Sequence, residues 1–217
     1  MSTLAAAIFD MDGLLIDSEP LWQDAEMACF KPLGVPVTRD LCRESAGRRI
    51  DEVARLWHQR FGWQGPTIDE MVERVLETVT RLILERAEPL PGVVDTMTAL
   101  QARGIPMAIA SSSPPALIEG VVNALNIGDY LALTHSGVHE ERGKPDPAVF
   151  LSTARKLGVV PEHCLVFEDA PAGVTAARRA GMRVVAVPSV FDPSDPAFSQ
   201  ADQILGSLQE FDLARWL

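Results

Sequence analysis

The residues best equipped for chemistry come early in the chain. Asp10 and Asp12 stand two positions apart in Ile8-Phe9-Asp10-Met11-Asp12-Gly13, where the apolar run Leu4 to Phe9 stops. Such a run ending at an acidic turn predicts a buried parallel strand with its acids at the carboxyl end. Open α/β sheets keep their ligands at that end. An aspartate there can serve as nucleophile, metal ligand or both, and a second aspartate two residues on can handle a proton. Two other readings stand beside this one: a metal-binding Asp-x-Asp of a sugar-nucleotide transferase, and an acidic turn that merely closes a strand. A calcium loop is excluded, because Leu14 falls where a third ligand is wanted and Leu21 where the bidentate acid should be.

Three more polar groups recur in similar positions. Met107 to Ala110 ends at Ser111-Ser112-Ser113, the loop Gly143-Lys144-Pro145-Asp146-Pro147 precedes a helical pattern, and Cys164 to Phe167 ends at Glu168-Asp169. Each has a plain explanation in turn or helix-start chemistry, but together they put four coincidences on one sheet edge. Asp10, Asp12, Glu168 and Asp169 would then crowd one pocket, where like charges cannot all remain ionised unaided. A hard divalent cation relieves this, and oxygen-only ligands favour Mg²⁺. Lys144 adds a fixed positive charge. The Ser111 hydroxyl and the Ser112 backbone N–H can hydrogen-bond phosphate oxygens, as helix N-terminal groups do. The set predicts a phosphoryl pocket with an acidic nucleophile.

The elements that must position these groups fall into two kinds. From Ser18 to about Ala87 the periodicity is helical: Ser18 is a candidate N-cap before Pro20, and Ile50, Val53, Ala54, Trp57 and Phe61 form one apolar stripe. Thr67 and Glu70 form a capping box ahead of a longer apolar series. From Pro91 onward strands alternate with helices, with strands expected over 106–110, 131–134, 165–167 and 183–187. That pattern predicts a parallel sheet with helices on both faces, which recruits Leu4 to Phe9 as a further strand. The fold class is therefore α/β: a doubly wound, Rossmann-like core over residues 1–16 and 89–217, with an inserted helical cap over 17–88. Linkers near Ile16 and from Glu88 to Pro91 would act as a hinge, and the cap as a lid.

Composition narrows the partners. The 217 residues suit one large domain or a domain with an insertion. A formal charge of −11 argues against nucleic-acid and anionic-membrane partners, so a bound phosphate must be held by local positive charge. A small phosphorylated metabolite is the expected ligand, with no obligate protein partner. Cys29, Cys42 and Cys164 form no disulfide or zinc pattern and read as reduced core thiols. The early apolar run is too short for a signal peptide and nothing approaches a membrane span, so a cytoplasmic location is expected. His135 and His139 are spaced like a helical metal pair but are expected as solvated loop residues. Trp57, His58 and Trp63 are expected to pack the cap. Arg49, in a cap loop after Gly47 and Arg48, is a candidate substrate contact or a solvated arginine.

The ordered set of motifs resembles the haloacid dehalogenase-like phosphatase superfamily: Asp10-Met11-Asp12-Gly13, Ser111 after an apolar strand, Lys144 before Pro145, and Glu168-Asp169. The helical insertion corresponds to that family's four-helix cap, and Leu90-Pro91-Gly92-Val93 matches at the return to the core. The resemblance implies that Asp10 attacks phosphorus to form an aspartyl-phosphate. Asp12 would protonate the leaving oxygen and then deprotonate the attacking water. It further implies that Mg²⁺ is held by Asp10, the backbone carbonyl of Asp12, and Asp169, with Glu168 acting through water. Met11, Ser111, Ser112 and Lys144 would contact the substrate with the two aspartates. The runs from Asp10 to Trp22 and from Arg49 to Trp57 are similar to the subgroup acting on hexitol phosphates and 2-deoxyglucose 6-phosphate. β-Phosphoglucomutases also resemble this chain but carry a histidine where Trp22 stands; without that group water is the expected phosphoryl acceptor, and a sugar-phosphate mutase is the alternative. A phospho-aspartate signalling domain shares the acidic cluster and Lys-Pro but lacks a helical insertion after the first strand.

Overall fold

A computed structural model describes residues 4–86 and 88–217. Met1 to Thr3, assigned to the first core segment, and Ala87, assigned to the end of the cap, lie outside the described residues. Six strands form one parallel sheet: β1 (Ala6–Phe9), β2 (Met107–Ser111), β3 (Leu131–Ser136), β4 (Cys164–Glu168), β5 (Arg183–Ala186) and β6 (Gln203–Ile204). Their spatial order is β3-β2-β1-β4-β5-β6. The first strand thus sits at the centre, with Ile8 opposite Ala108 on one side and Val166 on the other.

Strand side chains alternate between two apolar layers. Ala7 and Phe9 pack with Val93, Met97, Leu117 and Ile118 from α5 (Val93–Ala102) and α6 (Pro115–Ala124). Ala6 and Ile8 pack with Val149, Phe150, Val174 and Ala177 from α7 (Ala148–Leu157) and α8 (Pro171–Arg179). Both faces are covered, as a doubly wound sheet requires.

Between β1 and α5 the chain forms α1 (Glu19–Phe30), α2 (Arg39–Ser45), α3 (Ile50–Phe61) and α4 (Ile68–Arg86). Phe30 meets Trp57 and Trp63 edge-on, with ring centroids 5.1 and 5.5 Å apart. His58 packs edge-on against Trp63 at 4.4 Å. The capping box forms: the Glu70 N–H donates to Thr67 Oγ1 at 3.2 Å, and the Thr67 N–H donates to Glu70 Oε2 at 2.8 Å. The chains entering and leaving this block pair with each other, because the Leu90 N–H donates to Leu15 O at 2.9 Å and Ile16 bridges to Pro89.

Three expectations need correction. Ser18 occupies the N-cap of α1, but with φ −90° and ψ −19° it makes no side-chain cap bond. A capping hydroxyl needs an extended backbone to turn back onto the helix N–H groups. β3 continues past Thr134 to Ser136, which places His135 on a strand and buries it. β6 adds a strand that sequence pattern does not predict, since two residues carry no periodicity. Cys29, Cys42 and Cys164 are free thiols, the last two buried. Among the described residues no helix is long and apolar enough to cross a membrane.

Candidate active site

The carboxyl ends of β1, β2 and β4 lie side by side, so strand pairing alone gathers Asp10, Ser111, Glu168 and Asp169 at one edge. Lys144 reaches in from the loop before α7. Its Nζ stands 2.6 Å from Asp10 Oδ1 and 2.6 Å from Glu168 Oε1, and it also donates to Ala110 O at 3.3 Å. The ammonium lies 5.0 Å from the centre of the Phe150 ring. Glu168 Oε2 accepts the Ala170 N–H at 3.0 Å, so both of its oxygens are engaged. Glu168 therefore pairs with Lys144 directly. Gly13, at φ +81°, lies so close to Asp169 that any Cβ would overlap the carboxylate. The glycine of the first motif is thus required both by backbone conformation and by contact.

Burial raises the proton affinity of Asp10 and Asp169. Burial pushes Asp10 up to about 7, against the pull of Lys144, with Glu168 and Asp12 adding repulsion. Asp169 is raised well above the usual carboxylate range by burial, then by Glu168 and Asp10. Burial would lower Lys144, but Asp10 and Glu168 overcome it and raise it instead. One ammonium thus faces three buried carboxylates. Oxygens of Asp10, Glu168 and Asp169 lie within 4.8 Å of one another, and an all-oxygen donor set of this charge suits a hard divalent cation. Lys144 engages only Oδ1 of Asp10, and Ser189 Oγ donates to Asp169 Oδ2 at 2.9 Å, so Asp169 keeps a free oxygen for a cation and Asp10 Oδ2 stays unengaged.

Asp12 is placed differently. Its Oδ1 accepts from Ser18 Oγ at 2.6 Å and Trp22 Nε1 at 3.0 Å. Its Oδ2 accepts from Ser113 Oγ at 2.7 Å and, more loosely, Ser111 Oγ at 3.5 Å. With the side chain so engaged, only the backbone carbonyl of Asp12 is left to offer a metal. Ser111 Oγ also accepts the Ser113 N–H at 3.0 Å, and Ser112 Oγ donates to Gly47 O at 3.1 Å. Sequence reasoning missed Ser18, Ser113 and Trp22 as partners of Asp12. The available signal was a run of three serines after β2 and a serine six residues beyond Asp12.

The edge opens into a cavity of about 300 Å³, lined by Asp10, Asp12 and Lys144 from the sheet side and by residues of α1 to α4 opposite. Met11 is fully buried behind this edge in the core. Arg49 lines the cavity without being free. Its Nε and Nη2 donate to Asp51 at 2.9 and 3.0 Å, and its Nη1 donates to Glu140 O at 2.8 Å. These contacts tie the helical block to the loop after β3. Nearby, the Gly143 N–H donates to Glu52 Oε1 at 3.0 Å. His135 supports that loop rather than solvating it. Its Nδ1 lies 2.8 Å from Lys156 Nζ and its Nε2 lies 2.7 Å from Glu140 Oε1. An ammonium only donates, so Nδ1 accepts and Nε2–H donates to Glu140.

The family model of haloacid dehalogenase-like hydrolases matches residues 4–181. The chain belongs to that family. It is 40% identical over 208 residues to hexitol phosphatase B of Escherichia coli, covering 95% of this chain and 94% of the relative. It is 32% identical over 179 residues to a phosphorylated carbohydrates phosphatase of Thermotoga maritima, covering 82% of each. A crystal structure of β-phosphoglucomutase from Clostridium difficile superposes with a TM-score of 0.87 at 23% identity, covering 98% of this chain and 95% of that one, which shows the shared fold.

Proposed function

We propose that the protein hydrolyses phosphoric monoesters of small sugars or sugar alcohols, with Mg²⁺ as cofactor, through an aspartyl-phosphate on Asp10. The observation that carries this is the pairing of Asp10 with Lys144 at 2.6 Å beside Asp12, in a cavity roofed by the helical cap. The carbohydrate substrate class is supported by the phosphatases to which the chain is similar.

Each residue then has a task. Lys144 holds one oxygen of Asp10 and leaves the other to attack phosphorus. As the new P–O bond forms, the ester P–O bond breaks, and Asp12 gives its proton to the leaving oxygen. Water next attacks the phosphorus of the aspartyl-phosphate, Asp12 takes the proton back, and phosphate leaves with Asp10 regenerated. Splitting one displacement into two suits phosphate monoesters, whose uncatalysed hydrolysis is among the slowest reactions known. The Ser111 hydroxyl and the Ser112 backbone N–H would hydrogen-bond phosphate oxygens. Asp10, Asp169 and the Asp12 carbonyl would hold Mg²⁺, which when bound screens the repulsion between an anionic nucleophile and an anionic substrate. The cap excludes bulk water. Hydrolysis is favoured over sugar-phosphate mutation by Trp22, whose indole donates a hydrogen bond to Asp12 but cannot carry a proton between substrates.

The test is phosphate release across hexose, hexitol and pentose phosphates, in Mg²⁺ and in excess chelator. Metal-dependent release from one or more of these is the expected result. An isomerised sugar phosphate formed without inorganic phosphate would establish the mutase instead.

A further inference from the structure

One face of α1 looks into the cavity: Glu19, Trp22 and Glu26, at positions i, i+3 and i+7, all line it. Trp22 is engaged by Asp12, and Glu19 accepts the Gln23 amide at 3.1 Å. Glu26 is 7% exposed and, among the described residues, forms no ion pair. Its polar neighbours are the Cys42 thiol and Glu19. Val53, Val72 and Leu76 supply apolar surface on the same side. A carboxyl so buried is expensive to ionise. Burial pushes Glu26 up to about 8, against the Cys42 hydrogen bond and with Glu19 adding repulsion, so at neutral pH it holds its proton. A protonated carboxyl both donates and accepts, which is the pairing a hydroxyl group needs. Arg49 also lines the cavity, but its guanidinium is paired with Asp51 and donates to Glu140 O, and Arg48 is exposed, so Glu26 is not matched by an unpaired buried cation.

We propose that Glu26 is a specificity-determining residue: it hydrogen-bonds a hydroxyl of the leaving group, so the site selects neutral polyhydroxylated monophosphates and rejects esters bearing a second anionic group. The proposal rests on the sugar-phosphatase reading and deepens it. With phosphate held between Lys144 and the serines, the leaving group faces the helical wall. A polyol placed there finds in Glu26 a hydrogen-bond partner set among Val53, Val72 and Leu76. A second phosphate placed there meets two carboxyl groups and loses its hydration with no unpaired buried cation to offset it.

The experiment measures kcat and KM for a hexitol 6-phosphate, a hexose bisphosphate and p-nitrophenyl phosphate. It compares wild type with Glu26→Gln, which keeps donor and acceptor, and Glu26→Met, which keeps length without either. Wild type should prefer the hexitol phosphate over the bisphosphate by about 100-fold in kcat/KM. Glu26→Met should lower the hexitol-to-aryl ratio of kcat/KM by roughly 10- to 100-fold, chiefly through KM, while Glu26→Gln restores most of it. A ratio unchanged in Glu26→Met, or bisphosphate turned over as well as the hexitol phosphate, overturns the proposal and leaves the sugar-phosphatase reading standing. Release of phosphate from the aryl ester but from no sugar or polyol phosphate overturns both.

Discussion

Lys144 stands between two buried carboxylates, and its removal would leave both without a counter-charge. Breaking a buried pair from one side costs about 3–5 kcal/mol, far more than a surface pair contributes. Lys144→Met should therefore lower the unfolding free energy of the metal-free protein by that order and shift its urea midpoint down accordingly, and Mg²⁺ should recover part of the loss by supplying the missing positive charge. A midpoint unmoved by the substitution would mean that Lys144 does not neutralise this cluster. Asp10→Asn should abolish turnover while the protein still melts cooperatively, because an amide oxygen is a poor nucleophile. Asp12 answers to a different set of partners, and Trp22→Phe isolates one of them by removing the N–H and keeping the ring. Loss of one hydrogen bond of about 1–1.5 kcal/mol predicts a kcat roughly 10-fold lower. Equal kcat in Trp22→Phe would show that the indole does not orient Asp12. The sequence made Asp10, Lys144 and the Glu168-Asp169 pair legible, because each falls at a strand end or in a Pro/Gly loop. It hid Ser18 and Trp22, because the backbone at Ser18 is helical and its hydroxyl serves a residue six positions back.

Contacts joining the helical block to the loops around the cavity include Arg49 to Glu140 O, Glu52 to the Gly143 N–H, and Ser112 to Gly47 O. Two of these fall on the segment that leads into Lys144, and we propose that the helical block acts as a lid whose position is coupled to that of the lysine through this loop. His135 braces that loop from the sheet, through Glu140. Gly143 is where the contact is tightest: a Cβ there would lie 3.0 Å from Arg49 Cδ and 3.1 Å from Glu52 Oε1. Gly143→Ala should hold the lid partly open without altering any acid or serine of the site. KM for the sugar phosphate should rise several-fold, and amide hydrogens around 47–52 and 137–143 should exchange faster. Unchanged exchange at both segments would refute the coupling. The helices and their linkers could be read from periodicity and capping residues. The contacts between them could not, since Arg49 and Glu140 are 91 positions apart and a carbonyl acceptor leaves no trace in residue type.

Across the whole molecule, the formal charge of −11 coexists with a site that binds an anion, and the reconciliation is burial. The acids that matter are those removed from water. Their identity was visible in the sequence at the sheet edge, where β1 is separated from its partners by the entire helical block yet recruited to the centre. It was not visible at Glu26, which reads as an ordinary helical glutamate until α2 to α4 fold over it. That burial has a pH signature. Glu26 is raised from 4.5 in the unfolded chain to about 8 in the folded one, so the folded state binds the proton more tightly. Its contribution to stability is fully present below about pH 4.5 and is lost progressively as pH rises to about 8. Asp10, raised to about 7, acts in the same direction and would mask a simple pH scan of the wild type. The difference between wild type and Glu26→Gln removes that background, because Asp10 is common to both. Each tenfold difference in proton affinity between folded and unfolded chain is worth about 1.4 kcal/mol, so the variant should gain several kcal/mol on the wild type between pH 5 and pH 8.5. Urea midpoints at several pH values measure this, in chelator and again in Mg²⁺. Glu26 lies outside the group of acids that could hold a cation, so the gain should be the same in both series. A gain that vanishes when Mg²⁺ is added would place the titrating group at the metal site rather than in the cap wall.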